Sequence, residues 1–488
     1  MANIKKLTLL HSNDMHGDFL PKEKDGKKTG GISYLSGYIK KVRAEEKNVL
    51  YANAGDLFRG SVIDSEYRGL STVELVDLLA PDVVTVGNHE VDYGIAHLLF
   101  LEKCARFPII NANLYIKSNH ARLFEPYKVI DIDGIKVMFI GIITEEVLAA
   151  TKAEPIIGSF VDVWEAASQV GAIIDNYKTD KIDLTVLLTH IGYDEDKKLA
   201  ELLDPNWGVD LIIGSHSHTL LKTPKVVNGV PIVQAGSGTA NIGRFDLEID
   251  TDEHTVTKCD WRADEINEDT AQPDPVMESV LQIYKSEADE KYSRILTVLK
   301  RQLTHPTRSA ETELGNLFAD LMQQDSSFDI MLFGAGTLRG KKLGPVVTYK
   351  DLKELIPFVN PIYMMTVTGS QFKRMCCFYI GESIRTGGSS EFYDVSKGVM
   401  LTYDAKTGDL TGCSVNGRPV QDDDRIKIAM QEFHYNSFEK NFGFPVDEVL
   451  RNGKARMVVT SDFSVYEEFL TTSSELDAAV EGRITVIN

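Results

Sequence analysis

An α/β layered architecture is what the sequence predicts for residues 1 to about 250, with a second, mixed domain after it. Two observations carry this. Short runs rich in Val, Ile and Leu alternate with stretches of helical period, the layout of a sheet covered by helices. The chain of 488 residues also exceeds the usual size of one compact domain.

The elements follow in order. LTLLH (7–11), VLYANA (49–54), DVVTV (82–86), KVMFIGII (136–143), DLTVLL (183–188), DLIIG (210–214) and PIVQAG (231–236) read as buried strands. GISYLSGYIKKVRAEE (31–46) and STVELVDLLA (71–80) read as amphipathic helices between them. GRFDLEIDTDEHTVTKCDW (243–261) reads as a closing hairpin with its turn near Thr251–Glu253. ADEINEDTAQPDP is polar, acidic and proline-bearing, and reads as a surface linker. PVMESVLQIYKSEADEKYSRIL (275–296) has a helical period. The expected division is a first domain over 1–262, a linker with a bridging helix over 263–299, and an α+β domain over 300–488. In that last part ETELGNLFADLMQQ reads as a helix, and DIMLF and PIYMMTVT as strands.

Five segments place metal-binding side chains just past these strands. They are HSNDMH (11–16), GD (55–56), GNHE (87–90), TH (189–190) and GSHSH (214–218). Together they supply Asp14, His16, Asp56, Asn88, His190, His216 and His218, all oxygen or imidazole donors. Singly the segments are weak: an Asp in a loop is usually a solvated turn residue, and D-x-H arises by chance. Two histidines at i, i+2 directly after a strand form the strongest piece, because they can reach adjacent ions. The combination decides, since all five sit in one domain at the strand ends where ligands bind in open α/β sheets. Two divalent ions sharing one carboxylate are the expected cofactors. Mn, Zn, Fe and Mg all suit such a site. His11, His97, His120, His254 and His305 read as core-edge or surface residues.

Composition narrows the partners. Apolar residues make up 43% and charged residues 25%, as in ordinary globular proteins. The formal net charge is −20, and no basic stripe offsets it, which disfavours nucleic acid as a partner. A small anion remains a fit, because metals and a few arginines reverse the potential locally. No apolar run is long enough to span a bilayer, so no membrane partner is expected. LTLL is too short for a signal-peptide core and runs into the first metal segment, so a cytoplasmic protein is expected. Five scattered cysteines, two of them adjacent (Cys376, Cys377), do not form a disulfide framework. GAGTLRG (334–340) weakly echoes a dinucleotide loop, but KKLGPVVTYKD after it does not open a helix. Oligomeric state is not legible.

The order DMH, GD, GNHE, TH, GSHSH resembles the calcineurin-like metallophosphoesterase superfamily, whose fold is a four-layer α/β/β/α sandwich. The resemblance implies that Asp14, His16, Asp56 and His218 hold one metal, and Asp56, Asn88, His190 and His216 the other. It implies that His89 is the catalytic histidine, oriented by Asp92, and that a hydroxide activated by both metals attacks phosphorus. TRSAETELGNLFAD (307–320), GAGTLRG, IPFVNP (356–361) and EGRITVIN resemble the 5′-nucleotidase C-terminal domain. The resemblance thus extends over nearly the whole chain, to the 5′-nucleotidases and their intracellular bacterial members. It implies a nucleotide substrate, with Phe358 and Phe433 sandwiching the base and Arg308 and Arg339 binding phosphate or ribose. Two departures stand out. Gly334 occupies a place where that family commonly has asparagine, and SFEKNFGF replaces a glycine-rich turn with an aspartate. The expected activity is hydrolysis of a nucleotide to nucleoside and phosphate. The alternatives are a 2′,3′-cyclic nucleotide or sugar-nucleotide phosphoesterase, and a silent nucleotide sensor.

Overall fold

The computed structural model describes residues 3–116, 119, 121–144, 157–159, 163–177, 181–324, 326–473 and 475–487. The chain divides into two compact units, Met1–Ala288 and Asp289–Asn488.

The first unit contains two six-stranded mixed sheets. One runs in the order Thr255–Glu265, Asn241–Asp250, Ile4–Ser12, Val49–Asn53, Val83–Thr85, Ile109–Ile110. Its last four strands are parallel to one another, and the closing hairpin pairs antiparallel with Ile4–Ser12. The other runs Lys225–Val227, Val230–Val233, Leu211–Ile213, Leu184–His190, Ile135–Ile143, Tyr127–Ile132.

Alternation of side chains along each strand builds the layers. Leu9, Leu50 and Val83 of the first sheet share one core with Val137, Phe139, Leu188 and Ile213 of the second. The next residues in line face the other way. Leu10, Tyr51 and Val84 pack under the helices Ile32–Glu45 and Leu70–Leu79. Met138, Ile140, Leu187 and Ile212 pack under Val163–Asn176 and Tyr193–Leu202. The result is helix, sheet, sheet, helix. Helix Ile32–Glu45 fits because Ile32, Leu35, Ile39 and Val42 recur on one face and are buried.

The segment read as a surface linker is packed into this unit. Ile266 and Ala271 join the first helical core, and buried Asp274 accepts from Ser36 Oγ at 2.6 Å. A linker reading missed this because the anchoring residues are few among many polar ones. No described helix is long and apolar enough to cross a membrane.

The second unit has a five-stranded sheet in the order Tyr393–Val395, Ile330–Gly334, Arg425–Gln431, Ile362–Thr368, Arg456–Val459. Met331 and Phe333 face helices Glu313–Gln323 and Asp462–Thr472, while Ile330 and Leu332 face helix Gly369–Arg385. Both long helices that start after a threonine are capped by it. Thr312 Oγ1 accepts from Gly315 N, and Thr368 forms a reciprocal capping box with Gln371. A smaller four-stranded sheet, Arg418–Pro419, Asp409–Val415, Val399–Asp404, Ile484–Ile487, completes the unit.

Candidate active site

Five strands of the first unit end at one place. Asp14 and His16 follow Ile4–Ser12, Asp56 follows Val49–Asn53, and Asn88 and His89 follow Val83–Thr85. From the other sheet, His190 ends Leu184–His190, and His216 and His218 follow Leu211–Ile213. All seven predicted ligands therefore come from loops at strand C-termini.

The backbone there is held in a conformation that L-residues seldom adopt. Asp14, His16, Asp56, His216 and His218 have φ of 50°, 49°, 55°, 72° and 54°. Such left-handed residues persist only where surrounding structure over-determines them. Two glycines let the loops close. Gly55 has φ 89°, and a Cβ on Gly87 would lie 2.2 Å from Asp56 Oδ1, so no larger residue fits there.

The side chains converge into three overlapping groups: Asp14, His16 and His218; His16, Asp56 and His89; and Asp56, His190 and His216. Within each, the ligating atoms lie within 4.8 Å of one another. His16 Nε2 and His218 Nε2 are 2.9 Å apart, and His218 Nε2 is 3.5 Å from Asp14 Oδ1. His190 Nε2 lies 3.1 Å from Asp56 Oδ2, and His16 Nε2 lies 3.8 Å from the same oxygen. Asn88 Oδ1 faces His190 Nε2 at 3.0 Å and His216 Nδ1 at 2.9 Å. Imidazole nitrogens aimed at one another, with buried carboxylates between them, form a donor set that fits divalent cations.

The electrostatics agree. Burial disfavours a charged His190, yet the carboxylates of Asp56 and Asp14 and the Ala54 carbonyl raise its pKa to about 9. Burial works against an ionised Asp56 too, and His190 and the His89 amide reverse it, holding Asp56 below the usual carboxylate range.

A further set of residues orients these groups. The Ala54 carbonyl lies 3.0 Å from His190 Nδ1, which assigns the proton to that nitrogen and leaves Nε2 for a ligand. The His89 amide donates to Asp56 Oδ1 at 2.9 Å, and the His216 amide donates to the Asp14 carboxylate at 3.0 Å. Buried Asn13 donates to Asp14 Oδ2 at 2.7 Å and accepts from Ala235 N at 3.0 Å. Glu90 is buried and accepts the amides of Asp56, Leu57 and Gly87 at 3.0, 2.6 and 2.5 Å. Burial and the nearby Asp56 carboxylate raise its pKa to about 7. Sequence reasoning assigned Asn13 and Glu90 no role, although both lie inside the quoted motifs. Glu90 works through three backbone amides, and Asn13 ties Asp14 to the backbone at 235 and 236, links that a side-chain pattern does not display.

His89 Nδ1 lies 2.6 Å from Asp92 Oδ2, and Arg59 pairs with the same carboxylate oxygen. The Asp92 contact leads in raising the His89 pKa, against an opposing burial effect. Of the other histidines, His11 is buried in the sheet against Phe245 and Trp261, and His305 is buried beside Thr312 in the second unit. His97 and His254 bond to the Arg68 carbonyl and to Asp183. His120 lies outside the described residues.

In the second unit Arg308, Arg339 and Phe358 lie on loops, and Phe433 lies in the short helix Glu432–Asn436. Arg339 Cζ sits 4.9 Å from the centre of the Phe358 ring, and that ring is 44% exposed. Phe433 is 64% exposed and stands edge-on to His434; no described ring contact joins it to Phe358. Arg308 is exposed and donates to the Leu338 carbonyl at 3.3 Å. The loops are tied together: Gln431 donates to Thr337 and Asp462, Asp462 accepts from the Asn360 amide, and Arg339 N donates to Leu355 O. The Gly334 departure has a physical cause. A Cβ there would lie 2.1 Å from Nε2 of His434, whose buried ring also meets Tyr393 Oη at 3.1 Å. An asparagine at 334 and the histidine at 434 cannot share that space.

Comparison with known proteins gives the same two parts. A model described as calcineurin-like phosphoesterase matches residues 7–220, and one described as 5′-nucleotidase, C-terminal domain, matches residues 289–446. The chain is 25% identical to mouse 5′-nucleotidase over 99% of its length and 91% of that protein. It is 29% identical to the trifunctional nucleotide phosphoesterase protein YfkN of Bacillus subtilis, over 98% of its own length and 35% of that longer protein. The crystal structure of the 5′-nucleotidase precursor from Thermus thermophilus matches 99% of this chain and 100% of its own, with 25% identity and a TM-score of 0.57. With a calcineurin-like phosphoesterase model matched where the donor cluster lies and a 5′-nucleotidase C-terminal model matched after it, the chain has the domain pair of the 5′-nucleotidases it resembles.

Proposed function

We propose that this protein hydrolyses the phosphate ester of a nucleotide, releasing nucleoside and phosphate. The observation that carries the reading is the convergence of seven oxygen and imidazole donors beside the His89–Asp92 pair. Asp14, His16, Asp56 and His218 would hold one divalent ion, and Asp56, Asn88, His190 and His216 a second, with Asp56 shared. When bound, such ions polarise phosphoryl oxygens and make a water nucleophilic near neutral pH.

The remaining work falls to the chain. Asp56 is fixed by the His89 amide on Oδ1, so Oδ2 stays turned toward His190 and His16. Asn88 offers its carbonyl oxygen as a neutral donor and adds no charge against an anionic substrate. His89, with Nδ1 engaged by Asp92, keeps Nε2 for the ester. From there it donates to the phosphoryl or leaving oxygen as negative charge develops. Phe358 stacks on the base, with Arg339 on its ring as a cation for phosphate or ribose.

The test is phosphate release by purified protein with added manganese. The panel is a nucleoside monophosphate, a 2′,3′-cyclic nucleotide, a sugar nucleotide and a nitrophenyl phosphate. Turnover of the monophosphate above the others is expected. Bound metal without any turnover would overturn the reading in favour of a nucleotide sensor.

The stacking role has its own test. Base–aromatic stacking is worth ~1–3 kcal/mol, so Phe358→Ala is expected to raise KM for a nucleotide by about tenfold. KM for nitrophenyl phosphate should stay within about twofold. Equal effects on both substrates would remove base recognition from Phe358.

A further inference from the structure

Arg59 lies three residues beyond Asp56 and is absent from the ligand set, yet the structure builds a frame around it. Asp92 Oδ2 receives both His89 Nδ1, at 2.6 Å, and the Arg59 guanidinium. Two donors share one carboxylate oxygen, so whatever fixes the carboxylate also fixes the imidazole.

Three features aim the arginine. Its backbone φ is 65°, in the left-handed region that a long side chain seldom adopts. At the next position, Gly60, a Cβ would come within 2.2 Å of the His16 carbonyl oxygen, so this stretch lies hard against the backbone of a ligand residue. Fully buried Asp64 then ties two segments together through one oxygen. Its Oδ2 accepts the Arg59 amide at 2.8 Å and the Tyr93 hydroxyl at 2.8 Å, while Oδ1 accepts from Thr72. Tyr93 is the neighbour of Asp92. One buried carboxylate thereby holds the backbone of Arg59 and the residue beside Asp92 in fixed relation.

Stability does not account for this arrangement. The Arg59 side chain is 61% exposed, and exposed ion pairs contribute ~0–1 kcal/mol. Orientation does account for it. A carboxylate held by one hydrogen bond can rotate and swap oxygens. One clamped by a bonded guanidinium keeps Oδ2 on Nδ1 and the ring turned with Nε2 outward.

We infer that Arg59 is a positioning residue, holding Asp92 so that the His89 ring is set for reaction. The inference rests on the phosphoesterase reading, and its test separates the two. Arg59→Met keeps the stem and removes the guanidinium. It is expected to lower kcat about tenfold, with KM and metal content within about twofold. Arg59→Lys should restore part of the loss. In an Asp92→Asn background, Arg59→Met should cause no further loss, because its route to His89 is already cut. The second readout needs neither metal nor turnover. In metal-free protein with 15N-labelled histidine, the Nδ1 proton of His89 should exchange with water faster in Arg59→Met than in the native chain. A raised KM with unchanged kcat would overturn the inference and make Arg59 a substrate contact. A full tenfold loss in the Asp92→Asn background, or an unchanged Nδ1 proton, would overturn it as well. If the native protein hydrolyses no phosphate ester, the phosphoesterase reading fails, and the exchange measurement alone decides on the frame.

Discussion

Asp56→Asn is expected to lower turnover about 10³-fold or more, because several kcal/mol of charge stabilisation depend on that carboxylate. Asp56 is buried, and its Oδ2 reaches both histidine groups, at 3.1 Å from His190 and 3.8 Å from His16. Asparagine keeps the shape and can still accept the His89 amide. It loses the charge that offsets two cations, so metal content should fall along with rate. Elemental analysis beside steady-state kinetics checks this, with circular dichroism to confirm the fold. Native rate with native metal content would end the shared-ligand assignment. Asn88→Ala should follow the same pattern more weakly, since it removes a neutral donor facing His190 and His216.

His89→Asn should behave differently, and the contrast separates binding of the ions from proton transfer. Loss of a positioned acid usually lowers rate by about 10²–10⁴-fold. Metal content should hold, because the seven ligands remain. The loss should be larger for a nucleoside monophosphate, whose leaving alkoxide needs a proton, than for nitrophenyl phosphate, whose phenolate needs less help. Comparing kcat for the two esters is the measurement. Identical losses would leave His89 as a charge stabiliser of the phosphoryl oxygens and remove it as the acid. Arg59→Met, acting through Asp92, should reproduce a smaller version of the same leaving-group dependence.

Much of the first unit was legible because its central strands are continuous apolar runs. Ile135–Ile143 and Leu184–His190 are buried on both faces, and a run of Val, Ile and Leu signals that directly. The edges were harder. Tyr127–Ile132 is only half-buried, and Ile109–Ile110 has two residues, so neither has the length or contrast that a pattern needs. The ligands were legible for a related reason: histidine, aspartate and asparagine directly after such runs are conspicuous.

The orienting groups were not conspicuous at all. Glu90 acts by accepting three amides from the loops at 56–57 and 87, and Asp64 by joining the Arg59 amide to the Tyr93 hydroxyl. An acidic residue inside a helix or turn looks the same whether it is solvated or buried at such a junction. In the second unit, Gly334 stood out only as a departure. The ring of His434, a hundred residues on along the chain, turned out to fill the space.

By itself, then, the sequence determined the donor chemistry and the strand ends that carry it, because residue type and apolar period are local properties of the chain. Only the tertiary structure decided which donors share an ion site, which carboxylate oxygen faces which imidazole, and that Arg59 closes on Asp92. Those are distances between segments remote in sequence. They arise when two sheets stack and bring five loops to one edge, and packing rather than pattern sets them.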